Sequence, residues 1–195
     1  MLVQFIFDRI CAAFGLVVLS PLFVLIALAI KLEDGGPILF IQRRIGKNLK
    51  PFYIWKFRSM VSEAEHQGSL TTANDSRITR VGRYLRKFKL DELPQLINIL
   101  RGEMRLVGTR PELEAYVALF PDEYRTLLQD SPGLTDPASL AFRHEEQMLA
   151  AGNAEEQYVQ KILPAKLKLS LKYQRQRSMV SDLGILFKTL VRLAA

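Results

Sequence analysis

Residues 10–32 read ICAAFGLVVLSPLFVLIALAIKL, an apolar run in which Lys31 is the only charged residue. A continuous helix of this length would be about 30 Å long, enough to cross the core of a bilayer. Ser20-Pro21 interrupts the run at its midpoint, and a proline inside a helix removes a backbone hydrogen bond and clashes with the preceding turn. We therefore predict two shorter helices that meet at a bend, where the Ser20 hydroxyl could bond a carbonyl group freed by the break.

This run is compatible with three arrangements relative to a membrane. A cleaved signal peptide is disfavoured because the apolar stretch exceeds the usual length of about 7–15 residues. A straight transmembrane helix would separate residues 1–9 from the body, and the cations that follow the run would mark the body as cytoplasmic. A re-entrant helical hairpin would return both ends to the same face. Since proline is tolerated in true spans, these residues alone leave span and hairpin open.

The length and composition indicate one domain, or one compact domain plus a membrane element, with an acidic partner. The chain has 195 residues, and Lys plus Arg outnumber Asp plus Glu by 27 to 20, a net charge of +7. This charge favours nucleic acid, an anionic membrane face or a phosphorylated substrate. The single cysteine, Cys11, excludes an intrachain disulfide and fits a reducing compartment. With two histidines a His-based metal site is not expected, and we interpret His144 as a surface residue.

Asp91 and Glu92 are adjacent carboxylates in a segment rich in cations. An opposite charge within a few ångströms lowers a carboxyl pKa by about 1–3 units, so we expect both acids to stay ionised as nucleophiles or metal ligands. Pro94 fits the first turn of a helix over 93–100 that Gly102 closes, which places the pair at a helix start. The alternative is that the pair only forms surface ion pairs or caps the helix.

Two strand-like runs, 38–41 and 51–58, flank a polar turn and predict a β-hairpin. Alternation puts Lys56 and Arg58 on one face, where they could clamp a phosphate or form a solvated strand edge. Residues 109–112 match a capping box, with Thr109 as the cap of a helix through residue 120. Residues 62–77 predict a polar loop.

The final stretch, 163–193, mixes leucine and isoleucine with cations that include Lys166. This pattern predicts amphipathic helices that lie on an anionic membrane face or pack on the domain core. The sequence shows no zinc-ligand spacing, P-loop, Rossmann fingerprint or G-x-S-x-G elbow.

The chain resembles the bacterial sugar transferase family of polyprenyl-phosphate phosphoglycosyl transferases, the small monotopic kind. Any one of the shared motifs is weak, but their joint order is specific, and they cover nearly the whole chain. They are FDR (7–9), SP (20–21), GP (36–37), QRRIG (42–46), KFRSM (56–60), RITRVG (77–82), LDELPQ (90–95), VGTRP (107–111) and DLGIL (182–186).

The resemblance implies an α+β fold on the cytoplasmic face of the bacterial inner membrane. It favours the re-entrant hairpin over the span, and we expect a re-entrant helix-break-helix over 1–33, a catalytic region with a small β-hairpin over 34–162, and amphipathic helices over 163–195. The implied partners are a UDP-sugar, polyprenyl (undecaprenyl) phosphate and membrane lipid, with no nucleic acid. A homodimer is left open.

The resemblance also implies residue roles. The family's aspartate attacks the β-phosphorus of the UDP-sugar, UMP leaves, and polyprenyl phosphate then takes the sugar phosphate from the enzyme. Carried over, Asp91 is the nucleophile and Glu92 helps to hold Mg²⁺. The cations implied in binding the diphosphate or the carrier phosphate are Lys56, Arg58, Arg110 and Arg143.

Two departures from the family pattern bear on specificity. Thr109 replaces a common proline, and residues 136–140 read DPASL where many members carry Gly-x-Ala-Gln-Val. The identity of the transferred sugar therefore cannot be inferred from relatives. We also expect the chain to correspond to the catalytic unit without the extra N-terminal membrane helices of larger relatives.

Two other functions fit parts of the sequence. A non-catalytic basic membrane adaptor would explain the charge and the apolar run, but not the acids and arginines at helix starts. A one-step direct transfer would use Asp91 to orient the acceptor. The sequence leaves the sugar and the glycan pathway open.

Overall fold

The computed structural model describes residues 2–62, 64, 68, 70–72, 75–149 and 153–194. Within these residues the chain forms eleven α-helices and two small two-stranded sheets. The expected mixture of helices with a small β-hairpin is therefore confirmed. Part of the predicted loop 62–77, including Asn74, lies outside the described residues.

The apolar run forms two helices, α1 (Leu2–Val18) and α2 (Ser20–Asp34), bent by 61° at the predicted break. The Ser20 hydroxyl donates to the Val17 carbonyl oxygen at 2.8 Å, as predicted. In the described part of the chain no single helix has the length and composition to cross a membrane, although this bent pair passes both criteria together. The apolar run is therefore a bent pair of helices and not one straight membrane-spanning helix.

The predicted β-hairpin is also present. Strands β1 (Leu39–Ile45) and β2 (Pro51–Phe57) pair antiparallel around a 3-10 turn at Lys47–Leu49. Strand β1 runs four residues further than the run at 38–41 indicated. The added residues include two arginines, and both form ion pairs: Arg44 with Glu112 and Arg43 with Glu114.

The segment around the acid pair begins with α3 (Arg80–Lys87) and continues through a 3-10 turn (Leu90–Glu92) into α4 (Gln95–Arg101). Gly102 ends α4 in the left-handed conformation, with φ of 81°. The predicted closing glycine is confirmed, and the helix begins two residues later than predicted.

A second, parallel sheet has no clear sequence signal. It pairs β3 (Arg105–Val107) with β4 (Gly133–Thr135), and three-residue strands are too short to show an alternating pattern. A Cβ atom on Gly133 would overlap the backbone of Gly108, so the two chain segments pass each other in direct contact.

The predicted capping box at Thr109 is wrong. The next helices are α5 (Glu114–Leu119), which Leu113 precedes, and α6 (Pro121–Leu127). The Glu112 side chain is buried and accepts hydrogen bonds from Arg44 and Tyr158 instead of reaching back to a cap. Long-range partners have taken the carboxylate that the local pattern assigned to capping.

The C-terminal part contains α7 (Pro137–Ala141), α8 (Glu145–Met148), α9 (Ala154–Gln157), a π-helical turn (Tyr158–Ile162), α10 (Leu163–Arg175) and α11 (Met179–Ala194). The predicted helices over 163–193 are confirmed, but they differ in environment. Helix α10 buries Leu163 and Leu167 in the core, whereas α11 exposes Val180 and Phe187.

Three apolar clusters hold these elements together. One lies among α5, α6, the π-helical turn and α10. A second packs Ala12 of α1 against α4, β3 and α11. The third packs Ile26 and Ile30 of α2 against Phe57 of β2 and Leu85 of α3. Both helices of the bent pair are therefore built into the core that carries the acid pair.

Candidate active site

The acid pair lies in the 3-10 turn between α3 and α4. Lys89, just before this turn, has φ of 54° and ψ of 23°, a left-handed conformation that is uncommon for a non-glycine residue. Asp91 is 6% exposed and Glu92 is 8% exposed. The interpretation of the pair as exposed surface acids is therefore wrong.

Asn98 fixes α4, and with it the acid pair, against the β-hairpin. Its side chain is fully buried and accepts a hydrogen bond from the Trp55 backbone N–H at 3.1 Å. Its amide nitrogen donates to the Tyr53 carbonyl and to the Glu103 carboxylate, both at 2.7 Å. These bonds place the turn beside β2, on the side where Lys56 projects.

Glu92 is the centre of a buried charge cluster. Arg110 donates from both terminal nitrogens, to Glu92 Oε1 and, at 3.2 Å, to Oε2. Lys56 Nζ lies 3.5 Å from Glu92 Oε1. The structure thus brings together three of the residues chosen from the sequence, although Arg110 is 18 positions from Glu92 along the chain.

The charges in this cluster shift one another's pKa. Burial alone would raise the pKa of Glu92, but Arg110 and Lys56 outweigh burial and hold this pKa well below its usual range. Burial lowers the pKa of Lys56 to about 8, although the charge of Glu92 opposes the shift. The negative charge of Glu92 raises the pKa of Arg110.

Asp91 behaves differently from its neighbour. Burial, and after it the charge of Glu92, raise the pKa of Asp91. The expectation of a lowered pKa is wrong in direction, because burial and the charge of Glu92 outweigh the opposing effect of Lys56 and the other nearby cations. Asp91 Oδ1 is buried and has no hydrogen-bond partner, so this oxygen is available to a bound molecule.

Two other predicted phosphate ligands have partners elsewhere. Arg58 pairs with Asp34 at the end of α2 and donates to the Ser62 hydroxyl at 3.2 Å. Arg143 donates to the Arg192 carbonyl near the end of α11. In this structure their hydrogen bonds go to these groups and not to the acid pair, and their role in phosphate binding stays a prediction.

A second buried charge cluster adjoins the first, and the sequence did not reveal it. Glu112 accepts from Arg44 at 3.2 Å and from the Tyr158 hydroxyl at 2.8 Å, and Lys166 Nζ lies 3.7 Å from it. Lys166 is only 6% exposed, so of the two alternatives for the C-terminal helices this residue follows packing on the domain core. Arg44 also approaches the Pro111 carbonyl at 3.5 Å, next to Arg110.

The acid pair has the chemistry of a magnesium ligand set. Among the described residues, no group of three or more His, Cys, Asp or Glu side chains could hold a metal ion. Mg²⁺ often takes one or two carboxylates and completes its shell with water and substrate phosphates. Asp91 Oδ1 is an unpartnered acceptor, so the pair fits an ion that arrives with a phosphorylated substrate.

The chain is similar to a known protein family and to several characterised proteins. A family model described as bacterial sugar transferase matches residues 1–195. A UDP-glucose:undecaprenyl-phosphate glucose-1-phosphate transferase from Escherichia coli (strain K12) is 36% identical over 194 residues, which covers 95% of this chain and 39% of the relative. A UDP-N-acetylgalactosamine-undecaprenyl-phosphate N-acetylgalactosaminephosphotransferase from Aeromonas hydrophila is 35% identical over 189 residues, with 94% and 41% covered.

A shorter relative matches over most of its own length. The exopolysaccharide production protein ExoY of Rhizobium meliloti (strain 1021) is 35% identical over 200 residues, which covers 94% of this chain and 82% of the relative. The chain spans only about two fifths of the length of the other two relatives.

Proposed function

The chain belongs to the bacterial sugar transferase family, and on that premise we propose that it transfers a sugar phosphate from a UDP-sugar to polyprenyl phosphate. UMP is released and polyprenyl-diphosphate-sugar is formed, as the first membrane step of a glycan assembly pathway. The names of the relatives support undecaprenyl phosphate as the acceptor. The observation that carries the proposal is a buried carboxylate oxygen, Asp91 Oδ1, left free beside a cation-bound Glu92.

In the first step, an Asp91 carboxylate oxygen attacks the β-phosphorus of the UDP-sugar. The new bond joins this oxygen to phosphorus, while the bond from phosphorus to the bridging oxygen breaks and UMP leaves with the electron pair. A phosphate oxygen of the polyprenyl carrier then attacks the same phosphorus and displaces the Asp91 carboxylate. Both steps use an anionic oxygen as the nucleophile. Burial disfavours the ionised form of Asp91, and the positive charge of a bound Mg²⁺ would favour it.

The cations beside Glu92 supply the charge that such a transfer needs. Phosphoryl transfer depends on positioning and on neutralising the phosphoryl oxygens. A guanidinium has five N–H donors, and Glu92 takes two of those of Arg110, which leaves donors for a diphosphate. Lys56 and Arg110 thus bind the diphosphate of the substrate, and their ion pairs with Glu92 hold them close to Asp91.

Asp91 and Glu92 are the residues that would hold Mg²⁺. When bound, the ion would neutralise charge on the diphosphate and favour departure of UMP. The protein itself contributes the buried, water-poor environment, in which each of these interactions is stronger than in bulk solvent.

We further propose that α1 and α2 form a re-entrant hairpin in the cytoplasmic leaflet. Their outward sides expose large apolar residues such as Phe14, Val17 and Leu25. Near the start of the pair Arg105 donates to Asp8 at 2.9 Å, and near its end Glu33 accepts from the Arg80 backbone N–H at 2.6 Å. Both ends are therefore tied to the same body, which is the arrangement expected of a hairpin and not of a span.

The reaction is tested by measuring UMP release from a panel of UDP-sugars with polyprenyl phosphate and Mg²⁺. Asp91→Asn should abolish release, whereas Asp122→Asn, an exposed carboxylate on α6, should leave it unchanged. Full activity of Asp91→Asn would exclude Asp91 as the nucleophile. Salt-sensitive lipid binding without turnover on any UDP-sugar would instead favour the basic membrane adaptor.

A labelled donor separates the two transfer mechanisms. With a UDP-sugar labelled in its sugar and no acceptor, the protein should retain labelled sugar phosphate, and Asp91→Asn should not. Rapid turnover without any labelled protein would favour direct transfer.

The hairpin is tested by labelling single cysteines in a Cys11→Ser background. Val3→Cys and Leu32→Cys lie at exposed positions near the two ends of the pair. Both should react with a membrane-impermeant maleimide from the cytoplasmic side only. Reaction from opposite sides of the membrane would exclude the hairpin.

A further inference from the structure

Gln95 is a buried polar residue with no role in the two transfer steps proposed above. It is the first residue of α4 and is 1% exposed. Its amide nitrogen, Nε2, is buried without a hydrogen-bond partner. A buried N–H donor left unpaired destabilises a fold, and most native proteins avoid it, so an unpaired donor requires an explanation.

Gln95 lies beside the proposed nucleophile. The two residues between the acidic turn and α4, Leu93 and Pro94, have helical backbone angles of −55° and −37° and of −60° and −16°. Residues four apart on a helical backbone are neighbours, with Cβ atoms about 5–6 Å apart. Asp91 and Gln95 are therefore about one helical turn apart on this segment, and their side chains begin close to each other.

The unpaired atoms of the two residues are complementary. Asp91 Oδ1 is an acceptor and Gln95 Nε2 is a donor, and both are buried without a partner. The two atoms do not bond to each other. This arrangement suits a ligand group that presents an electrophilic atom to Asp91 and an acceptor oxygen to Gln95, which is what a phosphoryl group does.

We propose that Gln95 Nε2 donates a hydrogen bond to a non-bridging oxygen of the phosphoryl group that Asp91 attacks, which makes Gln95 a catalytic residue of the transfer. This inference rests on the function proposed above. The bond to phosphorus forms from the Asp91 oxygen and the bond to the UMP oxygen breaks, while the amide keeps both of its protons. In the second step the same donor holds the same phosphoryl oxygen as the carrier displaces Asp91.

The neutral amide explains why a cation does not occupy this position. A lysine or arginine four residues from Asp91 would pair with its carboxylate, as Arg110 pairs with Glu92, and would lower its reactivity as a nucleophile. An amide stabilises the phosphoryl oxygens without neutralising the attacking group. The fold tolerates the unpaired donor because an oxygen of the bound substrate accepts its hydrogen bond.

The test uses two variants of similar size, Gln95→Met and Gln95→Glu, in the full-length protein in detergent with Mg²⁺. Neither variant has the N–H donor at neutral pH. The rate of a single round of UMP release without acceptor should fall by about 100-fold, the loss typical of one oxyanion donor. Gln95→Met should melt at or above the temperature of the wild-type protein, since it removes a buried unpaired group.

The combination of a slower reaction and an undiminished melting temperature separates catalysis from packing. A release rate within threefold of wild type in either folded variant would overturn the proposal. A lower melting temperature in Gln95→Met, with the rate recovering in proportion to the folded fraction, would assign Gln95 a structural role and would overturn it too. If the wild-type protein releases no UMP from any UDP-sugar, the proposed function itself fails.

Discussion

Replacing Asn98 with alanine should loosen the attachment of α4 to the β-hairpin. The variant removes the three hydrogen bonds of this fully buried side chain, which join it to the Trp55 N–H, the Tyr53 carbonyl and the Glu103 carboxylate. Alanine has no polar side-chain atom, so the Trp55 and Tyr53 backbone groups lose these partners. Water cannot easily replace the lost bonds because Asn98 is fully buried.

The magnitude follows from the kind of each bond. The two bonds to backbone groups contribute about 1 kcal/mol each, and the bond to a carboxylate about 2 kcal/mol, so the free energy of unfolding should fall by about 4 kcal/mol. For a chain of this size each kcal/mol corresponds to about 2–4 °C. The melting temperature should therefore fall by roughly 8–16 °C.

Thermal unfolding of the detergent-solubilised protein, followed by tryptophan fluorescence, provides the assay. Leu100→Ala is the matched control, because it shortens an exposed side chain of the same helix and should change the melting temperature little. UMP release by Asn98→Ala should also fall at temperatures where the variant is folded, since α4 positions Asp91. A melting temperature within about 3 °C of the control variant would refute this account of how the turn is held.

Two further predictions concern backbone strain and acid stability. Lys89→Gly should raise the free energy of unfolding by about 1 kcal/mol, because glycine adopts the left-handed conformation of Lys89 without strain, whereas Lys87→Gly at the end of α3 should lower it. A lower melting temperature in both variants would contradict this reasoning. Burial opposes ionisation of Glu112, but Lys166 and Arg44 outweigh burial and lower the pKa of this carboxyl. The ionised Glu112 therefore stabilises the fold above pH of about 4.5, and this stabilisation is lost as the pH falls through the lowered pKa. Glu112→Gln should therefore melt well below wild type at pH 7 and approach it in acid, and an equal difference at pH 7 and at pH 3 would show that the charge of Glu112 contributes nothing.

The features predicted correctly from the sequence depend mainly on local chain geometry. The bend at Ser20-Pro21 follows from the covalent ring of proline, which acts whatever the surroundings. The hairpin at β1 and β2 follows from strand-forming runs around a polar turn. The glycine that ends α4 is fixed by the left-handed conformation that such an end requires.

Features that depend on groups distant in sequence were predicted incorrectly or missed. Glu112 and Lys166 each looked like ordinary helix residues, and only the packing of α10 against the β1 region shows that they are buried partners. The parallel sheet was missed because strands of three residues carry no periodic signal. The capping box failed because a local pattern cannot reveal a competing long-range partner.

For the acid pair, the sequence alone identified two adjacent carboxylates among cations but not the environment of each. Adjacent carboxylates among many cations predicted ionised groups in both positions. The tertiary structure decided that Arg110 and Lys56 turn to Glu92, and that Asp91 keeps an unpaired oxygen and a raised pKa. The physical reason is that residue order determines which charges exist and where the chain can bend, whereas desolvation and pairing depend on distances through space, which only the packed chain determines.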